Sequence, residues 1–341
     1  MTTTVVMDNY TQAIQDLPAE AFLGDLLWFS ISQADVNLKN AQRDLGAAGL
    51  DTTHLRKNLR PVDAFKKASK RIEKKFKPVN GIRSELMVRP VGEDGSYAHR
   101  QIILERAVIK AGVKRRIFYE KVGELTFTRG VKKDGEYTGH GVECRRTTSN
   151  LGEPLTADED QWLTEQLATF EDHYDHLLNF MDSHAVRTFV REYIYDLQAT
   201  CVKESGGLYF TWQNHSAEIA KLAEWVRSVG SEFHVLPLLN LVEQRERIME
   251  SFEQETIQEV ERLMGEVGKI LASPGRKIEE KTYDAYADQA IKLSTKLSEY
   301  TTNLSSKAET AEYEISLFSA QLTSLVSRIR DPKSHTVMVQ T

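Results

Sequence analysis

The sequence predicts an α+β fold, predominantly helical, and three observations predict it. Apolar residues recur at period two between Arg83 and Thr148, at helical spacing through most of the rest, and in alternating three- and four-residue steps toward the C-terminus. Three parts are expected: a basic helix with an antiparallel meander over 1–150, helices with a small α+β hairpin module over 151–237, and a long helical hairpin or coiled coil over 238–341.

Taken in order, Pro18 to Gly46 reads as a helix, with Phe22, Leu23, Leu26, Leu27 and Phe29 as a dense apolar patch and Gly46 as its stop. A polar connection through Asp51, Thr52 and Thr53 leads to Arg60–Pro78, which holds eight lysines and arginines against Asp63 and Glu73. Pro61 suits a first helical turn, and Phe65, Ala68, Ile72 and Phe76 recur at helical spacing. The basic side chains then occupy the remaining circumference.

ELMVRPV, HRQIILERAVI, RRIFYEKVGELTFTR and GHGVECRR read as four strands of a meander, separated by the turn segments GEDGS, KAGVK and GVKKDGE. Its apolar face needs a cover, which Pro18–Gly46 or the Phe65/Ile72/Phe76 stripe could supply. SNLGEPLTADEDQ marks a boundary and a helix start, with Thr156 as N-cap and Asp158, Glu159 and Asp160 in the first turn. Helices are expected over 157–183 and 184–198, a hairpin in ATCVKESGGLYFTW turning at Ser205-Gly206-Gly207, a helix over Ala217–Val229 and a strand at FHVLPL.

The remainder is helical. One helix runs from Leu238 to Leu271 through Phe252, Val260, Leu263, Val267 and Ile270, and ends at SPGRK. A second, from Lys277 to Ile329, carries Leu297, Tyr300, Leu304, Ala311, Ile315, Phe318, Leu322, Leu325 and Ile329, a coiled-coil seam with one seven-residue step. At about 1.5 Å per residue these helices span about 50 and about 80 Å, so roughly 30 Å of the second seam needs another partner. Either a three-helix bundle, with 157–183 as the third member, or dimerisation through the C-terminal arm would meet that need.

Of 341 residues, 40% are hydrophobic and 28% charged, which excludes a disordered chain. The net charge of −6 conceals a division: residues 1–150 hold 26 Lys+Arg against 18 Asp+Glu, net +8, and the rest hold 18 against 32, net −14. Such asymmetry points to a polyanion partner, or to halves or subunits that attract one another. Two cysteines, Cys144 and Cys201, cannot build a disulfide framework, and a reducing, cytoplasmic setting is expected. MTTTVVMDNYTQ lacks a basic segment followed by an apolar one, and no stretch approaches the length of a membrane span, so neither a signal peptide nor a membrane contact is expected.

The candidate nucleic-acid-binding residues are Lys66, Lys67, Lys70, Arg71, Lys74, Lys75, Arg115 and Arg116, with Lys110, Lys114, Lys132, Lys133, Arg145 and Arg146 nearby in sequence. Phosphates are met by clustered cations, though a solvated helix face carries the same charge. Without a base-reading signature, binding to DNA or RNA would be mainly electrostatic. ESGGLYF suits a tight hairpin better than a phosphate loop, because G-x-x-x-x-G-K-[ST] is absent and a strand follows. EDHYDH sets His173 and His176 one helical turn apart, but no H-E-x-x-H motif accompanies them. No catalytic residue, metal ligand or cofactor is therefore assigned.

Around RTFVREYIYDLQATCVKESGGLYFTWQNHSAEIAKLAEWVRS the chain resembles an uncharacterised prokaryotic and phage family with a Ser-Gly-Gly-x-Tyr-Phe hairpin module, over residues 186–228. The resemblance implies a phage or mobile-element context and a scaffolding module. The expected function is a non-enzymatic nucleic-acid-associated or assembly factor, basic half on phosphates and acidic helical half on a homo-oligomer or protein partner through the C-terminal helices. The alternative is a protein-only adaptor or inhibitor whose basic face meets an acidic partner or neighbouring subunit.

Overall fold

The computed structural model of the chain describes Ile14 and residues 16–32, 34–56, 59–94, 97–110, 113–133, 136–147, 154–203, 207–273 and 279–330. The first elements are β1 (Phe22–Ser30), β2 (Asp35–Asn37), α1 (Leu38–Ala48), α2 (Pro61–Lys70), β3 (Lys74–Lys75), β4 (Ile82–Glu93), β5 (Tyr97–Lys110), β6 (Val113–Thr128), β7 (Val131–Lys133), β8 (Glu136–Thr138) and β9 (Gly141–Arg146). There follow α3 (Ala157–Ala168), α4 (Phe170–Asn179), β10 (Phe180–Asp182), α5 (Ser183–Asp196), β11 (Thr200–Lys203), β12 (Leu208–Trp212), α6 (Ser216–Ser228), β13 (Glu232–Leu239), α7 (Val242–Ala272), α8 (Glu280–Leu304) and α9 (Glu309–Arg330). Helices and antiparallel sheets thus share the chain.

They form two compact units, one of residues 35–43 and 55–185, the other of 1–34, 44–54 and 186–341. The border expected near residue 150 is not a border between units, because α3 and α4 complete the core of the preceding sheet. In that first unit the meander has the order β3-β4-β5-β6-β9, and the four expected strands are β4, β5, β6 and β9. Leu86, Leu104, Phe118, Leu125 and Phe127 of the sheet are buried with Phe65, Ala68 and Ile72 of the basic segment and with Leu163, Phe170 and Tyr174 of α3 and α4. The cover is the Phe65/Ile72 stripe. α3 begins at a capping box in which Thr156 and Glu159 satisfy each other's backbone N–H.

In the second unit the sheet order is β11-β12-β1-β13. Its inner strand β1 corrects the helix expected over Pro18–Gly46. A strand buried on both faces reads as a continuous apolar run, which periodicity cannot separate from a buried helix. Gly24 carries the distinction: a Cβ there would lie 2.0 Å from the Thr211 carbonyl oxygen, so only glycine admits strand β12 this close. Leu26 sits opposite Phe210 on the face that meets Phe252, Tyr300 and Leu304 of the C-terminal helices. On the other face Tyr209 packs edge-on against Tyr195 of α5 at 5.9 Å, and buried Asp25 accepts a hydrogen bond from Ser216 at the start of α6.

The single helix expected over Lys277–Ile329 is two. α8 ends at Ser305, which takes a left-handed conformation (φ 51°, ψ 38°), and α9 runs back along α7. Val260, Leu263 and Val267 of α7 are buried with Ala290 of α8 and Phe318, Leu322 and Leu325 of α9, so the three helices form an up-down-up bundle. The overhang calculated for an unbroken seam does not arise, since the bundle's third member is the far half of that same segment and not 157–183. No helix among the described residues is long and apolar enough to cross a membrane, and both cysteines are free thiols.

Candidate nucleic-acid interface

α2 forms where the sequence puts Pro61 at its first turn, Asp63 near its positive end and Lys67 and Lys70 near its negative end. Phe65 anchors it, 5.6 Å from Phe127 and edge-on to Phe170 at 6.1 Å. Ser69, fully buried, donates to the Phe65 carbonyl at 2.8 Å and accepts from Arg100 at 3.0 Å.

The helix stops earlier than its apolar spacing suggests. Beyond Arg71 the chain turns, and Lys74 and Lys75 pair as a short edge strand with Leu86 and Glu85. These two lysines therefore leave the helix on which the sequence seats them, because Phe76, whose N–H donates to the Ser84 carbonyl, continues the ladder rather than the helix.

The eight candidate cations meet different fates. Lys66 pairs with Glu93 at 2.6 Å. Lys74 lies over the Trp162 ring at 3.8 Å, and that indole donates to the Ile72 carbonyl at 3.1 Å. Arg116 pairs with Glu105 at 2.8 Å and covers the Tyr119 ring at 4.2 Å. Lys75 is 3.9 Å from Glu85, a loose surface pair. Lys67, Lys70, Arg71 and Arg115 are exposed and have no ion-pair partner among the described residues.

Register divides them further. Cross-strand neighbours share a sheet face, and the row Lys75, Glu85, Glu105, Tyr119 lies beside the row Arg83, Ala107, Arg116. These rows face away from the α2 side, so Lys75 and Arg116 stand apart from Lys67, Lys70 and Arg71. Where small Ala107 separates the two arginines, a cleft of about 480 Å³ opens, lined by Lys75, Phe76, Pro78, Arg83, Ser84, Glu85, Glu105 and Ala107. The side chains of Lys110, Lys114, Lys132 and Lys133 lie outside the described residues. Arg145 pairs with Glu143 and Arg146 with Asp160.

Sequence reasoning missed the buried ion pair beneath this surface. Arg106 meets Glu159 at 2.5 Å, with side chains 9% and 2% exposed. Burial works against the Glu159 carboxylate, but Arg106, Ser84 and the Thr156 backbone N–H together hold its pKa below the ordinary carboxylate range. The sequence places Glu159 in the first turn behind an N-cap at Thr156; its partner 53 residues away leaves no local signal.

The histidine pair on α4 does not converge. His176 stands 2.7 Å from Asp35 and stacks on Phe180 at 4.7 Å. Burial, then the nearby positive charge of Arg71, holds the His173 pKa down. Among the described residues no three His, Cys, Asp or Glu side chains are grouped to hold a metal ion. In the β11–β12 hairpin Gly207 adopts φ 61°, as a tight turn requires; Ser205 and Gly206 lie outside the described residues.

No curated protein and no solved structure matches the chain. A family profile described as "Family of unknown function (DUF6744)" matches residues 22–331. That span takes in β1 at one end and α9 at the other, and the chain belongs to this family of unknown function.

Proposed function

We propose that the protein is a non-enzymatic, nucleic-acid-associated factor that holds phosphates on the α2 surface. One observation carries the reading: Lys67, Lys70 and Arg71, at positions i, i+3 and i+4, are exposed together without ion-pair partners among the described residues. Three phosphate contacts give a salt slope of about −2.7 on duplex DNA, or roughly a fortyfold loss between 50 and 200 mM salt. Binding of this kind is independent of sequence.

The test is fluorescence anisotropy of labelled single-stranded DNA, duplex DNA and RNA across salt concentrations, with wild type and a variant carrying Lys67→Ala, Lys70→Ala and Arg71→Ala. Wild-type binding with a steep salt slope, lost in the variant, is expected. The variant's thermal stability should change by no more than about 0.5 kcal/mol per exposed site. Equal affinity in the two proteins would sink the assignment.

The acidic C-terminal bundle fits the assembly half of this reading, as a surface for a homo-oligomer or protein partner. A prokaryotic or phage setting, with a scaffolding hairpin at β11–β12 and a reducing interior for the two thiols, belongs to the same proposal. The adaptor reading draws on a separate observation: Lys66, Lys75 and Arg116 already engage Glu93, Glu85 and Glu105, as on a surface that meets protein carboxylates.

A further inference from the structure

The cleft on the open face of the meander has a feature that stability alone does not call for. Glu85 and Glu105 stand directly opposite one another on β4 and β5, and like charges so placed are destabilising. Glu105 is held there by Arg116 at 2.8 Å, its own side chain 4% exposed. Among the described residues Glu85 has only the loose Lys75 contact, with a third of its side chain open to solvent. Arg83 lines the same cleft, exposed and without an ion-pair partner among the described residues. Phe76 and Pro78 close its edge, the Phe76 ring itself packing toward the core.

We propose that this cleft takes one nucleotide of a single strand and prefers guanine. The inference rests on the nucleic-acid reading above and names its substrate class. The volume is that of a small-ligand site. Arg83 and Lys75 supply charge for the phosphate. An ionised carboxylate only accepts hydrogen bonds, so the base that suits Glu85 is one that donates twice from adjacent atoms. Guanine does, through N1–H and the N2 amino group. Adenine and cytosine set a single amino group beside an acceptor nitrogen, which the second carboxylate oxygen repels. Uracil and thymine set one N–H between two carbonyls. In a duplex these edges are occupied by pairing, so the cleft selects unpaired strands.

Short single-stranded oligonucleotides differing in one central base, titrated against the full chain by anisotropy, provide the test. The guanine strand should bind at least about tenfold more tightly than the adenine, cytosine or thymine strand, the value of one good bidentate pair. Glu85→Ala, which leaves no side-chain donor or acceptor, should level the four affinities, and its melting temperature should hold or rise as the like-charge opposition is relieved. Arg83→Ala should weaken all four strands. Equal affinity for the four bases, or discrimination that survives Glu85→Ala, overturns the inference; if binding then still depends on Lys67, Lys70 and Arg71, the broader reading stands. Absence of binding to any strand at low salt overturns both.

Discussion

The residue that ties the most together in the first unit is Glu159. It caps the start of α3, accepts from Ser84 at 2.5 Å and neutralises Arg106 inside the protein. Its pKa is lower folded than unfolded, so its contribution to stability is complete above its ordinary value near 4.5 and is lost as pH falls through the folded value. Glu159→Gln should therefore flatten the acid limb of the stability curve below about pH 4.5 while lowering stability at neutral pH by about 3–5 kcal/mol, the cost of orphaning a buried partner. Denaturant unfolding at several pH values measures both; an unchanged acid limb would mean that other carboxylates govern it. Of this site the sequence carries the Thr156 and Glu159 cap at a three-residue spacing. It does not carry Arg106, just as it does not show that Lys66 is spent on Glu93, 27 residues away. Ion pairs across long sequence separations leave no local pattern, so a count of cations overstates how many are free.

Among elements, legibility followed periodicity. The meander's strands are readable in order because turn segments bound each apolar run, although β4 and β5 are buried on both faces over Leu86–Val88 and 102–107. β1 reads as a helix because both of its faces are covered, and α2 reads too long because Phe76 falls at a helical interval from Ile72 by coincidence of an edge strand. The C-terminal break had a trace: the one seven-residue step in the seam, Leu304 to Ala311, spans the turn at Ser305 between α8 and α9. A non-glycine residue in the left-handed region costs about 1–2 kcal/mol. Ser305→Gly should consequently raise stability by about 0.5–1 kcal/mol, and Ser305→Pro, whose ring demands φ near −65°, should lower it. Thermal unfolding of the two variants in opposite directions is the expected result; a loss in Ser305→Gly would mean that the serine side chain contributes more than its backbone costs.

For the whole molecule, the division into +8 and −14 describes the sequence halves and does not coincide with the two units, since residues 151–185 belong with the basic sheet and 1–34 with the acidic bundle. Folding back α9 covers the seam that an unbroken helix of about 80 Å would have left bare. If the cationic surface serves nucleic acid, the molar mass by light scattering should not fall as salt rises beyond the point where surface charges are screened. A salt-labile oligomer would favour the adaptor reading instead. The position of β1 has one more consequence, for the order of events at the ribosome. Phe22–Ser30 is made before its partners β12 and β13, which lie about 200 residues further on. At about 5–20 residues per second the strand waits roughly 10–40 s for them. Throughout that interval FLGDLLWFS is an apolar strand with two unpaired edges. That segment is therefore exposed to edge-to-edge aggregation until its partners are made, and holding by a chaperone would protect it.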